Sequence, residues 1–336
     1  MRVTRAWALR RSEPVAQILT RPLHPNALVF YQEGDIETWD VASARMLKHW
    51  TARGPGVGGR HRFRGQWVGS NVLLHDDTVL RMWTERGEAV AAKEIGPNIR
   101  SVAVLNQSRC SFAVSRGRGV VDFLSRSLEV LASAQLTPSF AWEILPRGED
   151  ELLVGQQEHV VKLQCSTGQV TGSVAVPLRE APTPRGTKHC HLSCLRSFRD
   201  EVLLETLPVA IYKLECSKMT LQRAIEGSYV GQAMDRLWIS SLDGLRVYRD
   251  VPGQAGDDFV LVRGILPQAQ PRVVFSSGRD SVVFVAGSDR VWTVSGPSSA
   301  SPVEWQAPAE IQAEAAGPFG GMLLAAGGKM LFCEVK

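Results

Sequence analysis

A two-point pattern of apolar residues recurs along the chain and constrains its fold more than any other feature. In each copy an aliphatic residue is followed three positions later by a large apolar one. The eight pairs are Ile36 with Trp39, Leu80 with Trp83, Val121 with Leu124, Val160 with Leu163, Ile211 with Leu214, Leu245 with Tyr248, Val291 with Val294, and Met330 with Cys333. From Trp39 to Cys333 the seven intervals average 42 residues, and eight such intervals equal the length of 336 residues. A fixed period in this range is typical of repeat architectures.

Each copy of the pattern predicts a β-hairpin. A short apolar run precedes every pair, and the distance from its centre to the second anchor is always 10 or 11 residues. Turn-forming residues such as Asp243-Gly244 lie between the two runs, as tight hairpins require. Further strand-like runs, such as 15–19 and 46–50, flank the hairpins, which gives about four strands to each repeat.

Four strands in a unit of about 40 residues are typical of the propeller blade. The sequence therefore predicts an all-β fold, a single closed β-propeller domain over residues 1–336. Residues 3–9 precede the first complete unit and are expected to complete the last four-stranded blade, which would leave no unpaired edge at the closure. The count favours eight blades, and seven remain the alternative if the irregular stretch 177–217 hides a misjudged unit.

Two of the hairpins end in a motif that resembles the WD40 repeat. Thr38-Trp39-Asp40 contains the Trp-Asp pair, and Arg81-Met82-Trp83-Thr84 repeats the tryptophan at the same place. The chain thus resembles a divergent member of the WD40-like propellers. That resemblance implies a scaffold whose faces and rim bind peptides, protein domains or, in some cases, nucleic acid.

Composition limits the environment of the protein. Hydrophobic residues make up 44% of the chain, which allows a large core, and no apolar run is long enough to span a bilayer. An apolar signal segment is not found at the N-terminus either, so we expect a cytoplasmic or nuclear protein without membrane partners. Four arginines in the first 12 residues, Arg2, Arg5, Arg10 and Arg11, make mitochondrial targeting an alternative.

The formal net charge of +4 is modest, but the cations are concentrated in a few predicted loops. If the strands run as in WD40 propellers, these loops open onto one face. The predicted basic face consists of Arg53, Arg60, Arg62, Arg64, Arg116, Arg118, Arg185 and Lys188. Such a face could attract an acidic peptide or an RNA backbone, with binding that weakens as salt rises. The alternative is an ordinary solvated surface whose charges nearby acids neutralise.

Two motifs suggest ligands only weakly. His189, Cys190, His191 and Cys194 are residue types that zinc prefers, but no second ligand pair follows at the spacing of a zinc finger. Residues 54–59 match the G-x-G-x-x-G string of dinucleotide sites, yet no helix follows to hold a phosphate. We therefore predict neither a metal nor a cofactor.

No catalytic motif is present in the sequence, which contains no nucleophile elbow, no H-E-x-x-H and no P-loop. The sequence therefore predicts a non-catalytic scaffold that holds other proteins within a larger intracellular complex. One alternative is an RNA-associated propeller that uses the basic face. Another is a hydrolase or quinoprotein-like enzyme with acids gathered around a central channel.

Overall fold

The strands of the protein were located in a computed structural model. It describes residues 1–11, 13–21, 24–52, 64–105, 110–136, 141–177, 180–183, 186–189, 191–207, 210–233, 235–241, 244–249, 259–262, 272–277, 281–286, 289–295, 303–317 and 321–334. These residues contain 34 β-strands and a single 3₁₀ turn, Gly117–Gly119. No helix in this part of the chain has the length and apolar character needed to span a bilayer.

The strands follow one another at short intervals. The first nine are β1 (Arg2–Ala8), β2 (Val15–Thr20), β3 (Asn26–Tyr31), β4 (Asp35–Asp40), β5 (Arg45–Thr51), β6 (Arg64–Val68), β7 (Asn71–His75), β8 (Val79–Thr84) and β9 (Ala89–Glu94). The next eight are β10 (Ile99–Val104), β11 (Phe112–Arg116), β12 (Val120–Leu124), β13 (Val130–Gln135), β14 (Ala141–Arg147), β15 (Glu151–Gln156), β16 (His159–Gln164) and β17 (Val170–Ala175). Two short strands, β18 (Glu180–Thr183) and β19 (Gly186–His189), come next.

The remaining strands repeat the same arrangement. They begin with β20 (His191–Phe198), β21 (Glu201–Leu207), β22 (Ala210–Glu215), β23 (Thr220–Glu226), β24 (Ser228–Ala233), β25 (Arg236–Ser241), β26 (Gly244–Tyr248) and β27 (Phe259–Val262). They end with β28 (Arg272–Ser277), β29 (Ser281–Ala286), β30 (Arg290–Ser295), β31 (Val303–Gln306), β32 (Ile311–Ala316), β33 (Met322–Ala326) and β34 (Lys329–Glu334).

The described strands pair into eight antiparallel sheets of four strands each and one two-stranded sheet, β18-β19. Seven of the four-stranded sheets run in chain order: β2 to β5, β6 to β9, β10 to β13, β14 to β17, β20 to β23, β24 to β27, and β28 to β31. The eighth has the order β1-β34-β33-β32, so the N-terminal strand forms its outer edge. The predicted completion of the last sheet by the start of the chain is therefore confirmed.

All eight predicted hairpins are present, each as the second and third strands of a sheet. Their apolar runs are continuous because these middle strands are covered on both faces by neighbouring sheets. Leu28, Leu73 and Leu153, at the centres of three such runs, are fully buried. The outermost strands are less covered and carry exposed apolar residues such as Val130 and Val170.

The sheets are arranged in a ring around their first strands. β2 contacts both β6 and β32, β14 contacts both β10 and β20, and β28 contacts both β24 and β32. Eight apolar clusters lie between consecutive sheets, and the cluster of Trp7, Val15, Trp39 and Leu323 joins the last sheet to the first. This arrangement confirms the predicted all-β propeller of four-stranded blades.

A β-bulge near the start of the first strand recurs in seven of the eight sheets. The pairing shifts by one residue between Val15 and Gln17 in β2, and between Ile99 and Ser101 in β10. Equivalent shifts occur in β14, β20, β24, β28 and β32. Because a bulge redirects the side chain of the extra residue, these positions differ from the regular alternation of a strand.

The irregular stretch 177–217 contains three strands of one four-stranded sheet, β20 to β22, and an additional hairpin. The hairpin is β18-β19, which pairs Glu180 with His189 and Thr183 with Gly186. It is inserted between β17 and β20, where the other sheets are joined by a single connection. The long interval of 51 residues between Leu163 and Leu214 reflects this insertion.

Candidate functional site

One face of the ring is formed by two kinds of loop that hydrogen-bond to each other. Connections between sheets meet the turns between second and third strands, and we call this side the loop face. The Ala52 amide donates to the Gly34 carbonyl over 2.9 Å, and the Leu136 amide donates to the Gly119 carbonyl over 2.9 Å. The Val176 amide donates to the Glu158 carbonyl over 2.8 Å in the same way. The loop face is thus tied together by backbone hydrogen bonds.

The structure describes only some of the predicted basic residues. Arg53, Arg60, Arg62 and Arg185 lie outside the described residues, and Lys188 is described only as a backbone position in β19. Arg64 is the first residue of β6 and is exposed, while Arg118 lies at the exposed tip of the turn between β11 and β12. Arg116 differs, because its Nε donates to Asp122 Oδ2 over 2.6 Å. Its charge is therefore partly neutralised within the fold.

Arg64 lies in a small cavity at the loop-face ends of three neighbouring first strands, β2, β6 and β10. The cavity measures about 180 Å³, and we call it the basic pocket. Its lining residues are Gln17, Arg64, Gly65, Gln66, His75, Arg100, Ser101 and Val102. Two of the described lining residues are arginines and none is a carboxylate. Sequence reasoning missed Arg100, which is the bulged residue between Ile99 and Ser101.

Side-chain amides hold the strands around the basic pocket in place. Gln17 Oε1 accepts from the Gly65 amide over 2.9 Å, and Gln17 Nε2 donates to the Gly65 carbonyl over 3.0 Å. On the next strand, Gln66 Nε2 donates to the Val102 carbonyl over 3.4 Å. A Cβ at Gly65 would lie 2.9 Å from Leu74 Cδ2, so only glycine allows this approach of β6 to its neighbours. The pocket walls are consequently fixed by the strands themselves.

His75 contributes an uncharged ring to the basic pocket. Burial lowers the pKa of His75, and the positive charge of Arg64 lowers it further. Its Nδ1 lies 3.4 Å from the Asp76 carbonyl oxygen. Asp76 itself is buried, and its Oδ2 accepts from Arg81 Nη1 over 2.6 Å. The charge of the buried Asp76 is thus neutralised by its own partner, Arg81.

The weak zinc candidates are not brought together in the described part of the chain. Cys190 lies outside the described residues, and His189 and His191 are described only as backbone positions on β19 and β20. The buried Cys194 Sγ donates to Glu205 Oε2 over 3.1 Å, and burial raises the pKa of this thiol. Among the described residues, no group of three or more possible metal ligands is found.

A second cavity, of about 750 Å³, opens on the other face between the first two sheets, and sequence reasoning did not find it. Glu85 is its central charge: it forms an ion pair with Arg21 and accepts a 2.6 Å hydrogen bond from Asn26 Nδ2. The Arg21 guanidinium also stacks 4.0 Å above the Trp67 ring. Its lining residues are His24, Asn26, Thr38, Leu47, Lys48, Ser70, Asn71, Thr84, Glu85, Arg86 and Glu88. This mixture of charges does not favour one class of ligand.

Similarity to known proteins is found at the level of structure. No family model matches the sequence, and no curated protein matches it either. Solved structures do match: the computationally designed Ika8 protein superposes with a TM-score of 0.74 at 13% identity, covering 98% of each chain. BamB from Moraxella catarrhalis gives 0.68 at 10% identity over 99% of each chain. The C-terminal WD40 domain of Sif2 gives 0.68 at 12% identity over 100% of each chain. These matches show the fold alone.

Proposed function

We propose that the protein is a non-catalytic scaffold that binds other proteins through its loop face, within a larger intracellular assembly. The observation that carries this proposal is the basic pocket, because it is a concave site whose strands are joined by side-chain hydrogen bonds. The likeness to WD40 propellers such as the domain of Sif2 supports the same function by analogy of fold. Cytoplasm or nucleus is the proposed location, with mitochondria as the alternative.

The arrangement of carboxylates around the channel supports a non-catalytic role. Among the described first strands, Glu143 in β14 and Glu314 in β32 are the only carboxylates, and their sheets are not adjacent. Glu143 Oε2 already accepts a hydrogen bond from the Leu195 amide over 2.8 Å. Glu143 therefore links β14 to β20. A hydrolase that acts through a pair of carboxylates would need them close together on one substrate.

The proposal extends to the number of blades. We take each four-stranded sheet as one blade, which makes a ring of eight with β18-β19 as an additional hairpin. X-ray diffraction from crystals of the protein tests this number. An eightfold pseudo-rotation axis in the self-rotation function supports it, and a sevenfold axis contradicts it.

A nucleic-acid function is the second candidate, and the arginines of the basic pocket are the observation that favours it. Replacing Arg60, Arg62 and Arg64 with alanine is then expected to weaken RNA binding and to reduce its dependence on salt. RNA binding that is unchanged in this variant contradicts the second candidate.

Purification of the full chain from its native cells tests the scaffold proposal directly. A tagged protein is isolated under mild conditions, separated by size exclusion, and its companions are quantified by mass spectrometry. We expect defined proteins in fixed stoichiometry with the chain. Elution of the chain alone, at its own mass of 36.8 kDa, contradicts the proposal.

A further inference from the structure

We propose that the protein forms a symmetric dimer in which β13, the outer strand of the sheet β10 to β13, pairs with β13 of a second copy. The molecule that covers this edge is thus another copy of the same chain, and the pairing joins two sheets of four strands into one of eight. The inference goes beyond the proposed scaffold function and does not depend on it. It rests on the composition of the outer strands and on two charges beside β13.

The strand β13 lacks the side chains that usually protect a sheet edge. Its residues, VLASAQ, include no charge and no proline. Among the described strands, only β12 pairs with it. The unpaired backbone groups of such an edge are a template for a further strand, which charged side chains normally prevent. Val130 and Leu131 at its start are 45% and 52% exposed, so an apolar surface lies beside the unpaired backbone.

The outer strands of the other seven four-stranded sheets differ from β13. Charged residues are present in five of them, namely β1, β5, β9, β23 and β31. The strand β27 is uncharged but has only four residues. The nearest match is β17, with the residues VTGSVA, but a glycine at its centre weakens it as a strand. No charged residue lies between Lys162 and Arg179, so β17 also has no charges at its ends.

Two opposite charges lie at the two ends of β13. Glu129 immediately precedes the strand and is exposed. Arg118 is the exposed residue of the turn between β11 and β12. The Gln135 side chain holds this turn beside the end of β13, because its Nε2 donates to the Arg118 carbonyl over 2.8 Å. Neither charge forms an ion pair with a residue that the structure describes.

Antiparallel pairing of two copies makes these charges complementary. In an antiparallel pair, the start of each strand lies beside the end of the other. Glu129 of one copy is then close to Arg118 of the second copy, and the two-fold axis repeats the contact. Opposite charges across an interface favour the correct partner and fix its register. A parallel pair would instead place the two glutamates together, so the charges select the antiparallel dimer.

The regular part of β13 sets the size of the proposed interface. Residues 132–135 pair with β12 without interruption, and the bulge lies before them, where Val130 pairs with Leu124. Because a single pair of strands buries a small area, we expect a weak dimer whose population depends on concentration. An isologous contact of this kind uses the same edge of both copies, so association stops at two and does not continue into a fibre.

Sedimentation equilibrium of the purified full-length chain, over a wide range of concentrations, tests the proposal. We expect an equilibrium between 36.8 kDa and twice this mass. Leu131→Lys should raise the dissociation constant of the dimer at least about tenfold, because a lysine from each copy then lies on the paired edge. Val170→Lys is the matched control, since Val170 is 55% exposed on the uncharged strand β17. This variant should associate like the natural protein.

An exchange of charges tests the predicted geometry. Glu129→Arg should raise the dissociation constant at least about threefold, because it places a like charge opposite Arg118 of the second copy. Arg118→Glu should have the same effect for the same reason. The combination of both substitutions reverses the pair and should return the dissociation constant to the natural value. If Leu131→Lys does not fold, this exchange decides alone.

Four results overturn the inference. The natural chain remains a monomer at every concentration, Val170→Lys dissociates the dimer as strongly as Leu131→Lys, the combined charge variant associates as weakly as the single ones, or species larger than a dimer predominate. The scaffold proposal is judged separately, by the proteins that co-purify with the chain from its native cells. A chain that is monomeric when pure but retains those proteins would remove the dimer and leave the scaffold.

Discussion

The buried ion pair of the second sheet allows a quantitative test of how the loop face is built. Asp76 lies at the start of the turn between β7 and β8, and its carboxylate is fully buried beside Arg81. Oδ2 accepts from Arg81 over 2.6 Å, and Oδ1 accepts from the Thr78 and Val79 amides over 2.8 Å each. Removing one partner of a buried pair typically costs about 3–5 kcal/mol, because the other charge stays buried and unpaired.

We therefore expect Asp76→Ala to lower the free energy of unfolding by about 3–5 kcal/mol. Urea denaturation at pH 7, followed by tryptophan fluorescence, measures it. The variant Arg81→Met and the double variant Asp76→Ala with Arg81→Met complete a thermodynamic cycle. The double variant should be no less stable than Asp76→Ala, because it contains no unpaired charge. A loss below about 1 kcal/mol for Asp76→Ala, or simple additivity, would refute this reasoning.

The same pair predicts a dependence on pH. Burial alone would raise the pKa of Asp76, but the hydrogen bond from Arg81 and those from the Thr78 and Val79 amides outweigh it and lower this pKa below 3.8. A lowered carboxyl pKa contributes stability above the unfolded value and loses it as the pH falls through the folded value. The free energy of unfolding should therefore differ less between pH 7 and pH 3 in Asp76→Ala than in the natural protein.

Two further perturbations test local packing and the basic pocket. Gly87→Ala should lower the free energy of unfolding by about 1–3 kcal/mol, because its φ is +72° and the new Cβ would lie 2.6 Å from Trp50 Cγ. Gly148→Ala, at φ +58° with open space around it, is the control and should lose less; an equal loss in both variants argues against the contact. His75→Gln should reduce the loss of stability as the pH falls below 6.5, since burial and Arg64 hold the pKa of His75 below that value and protonation favours the unfolded chain. Melting temperatures that fall equally in both proteins between pH 7 and pH 5.5 would contradict this prediction.

The repeat could be predicted from the sequence because burial on both faces makes the middle strands continuously apolar. Leu28 and Trp39 mark the first hairpin, and the same spacing marks the other seven. The residues 3–9 that were left over at the N-terminus correctly indicated the closing strand, which pairs with β34. These features depend on local patterns within about 10 residues, and a sequence displays such patterns directly.

The basic pocket could not be predicted in full, because its residues come from three sheets. Gln17, Arg64 and Arg100 are far apart in the chain, and only the ring brings them together. The bulge at Arg100 changes the direction of that residue, and no sequence rule located it. Arg116 was grouped with the exposed cations, but its partner Asp122 lies on the adjacent strand β12. The pairing of strands decides which cations lie beside a carboxylate. Composition alone does not show which residues of two strands lie opposite each other.

Closure of the ring by the first strand is the central claim, and an engineered disulfide tests it most directly. Val3 in β1 lies opposite Cys333 in β34, and both residues belong to the apolar cluster between the last two sheets. Directly opposed residues of antiparallel strands are about 4.5–5.5 Å apart at Cα, within the range that a disulfide spans. In the variant Val3→Cys, mild oxidation of the folded protein should therefore link residues 3 and 333 within one chain.

Mass spectrometry of the linked peptides and non-reducing electrophoresis measure the result, with Thr4→Cys, at the bulge beside Val3, as the control. We expect a disulfide in Val3→Cys alone, and a stabilisation on the order of 5 kcal/mol from closing so long a loop. A Val3→Cys protein that stays reduced, or that links only between molecules, would contradict the closed ring.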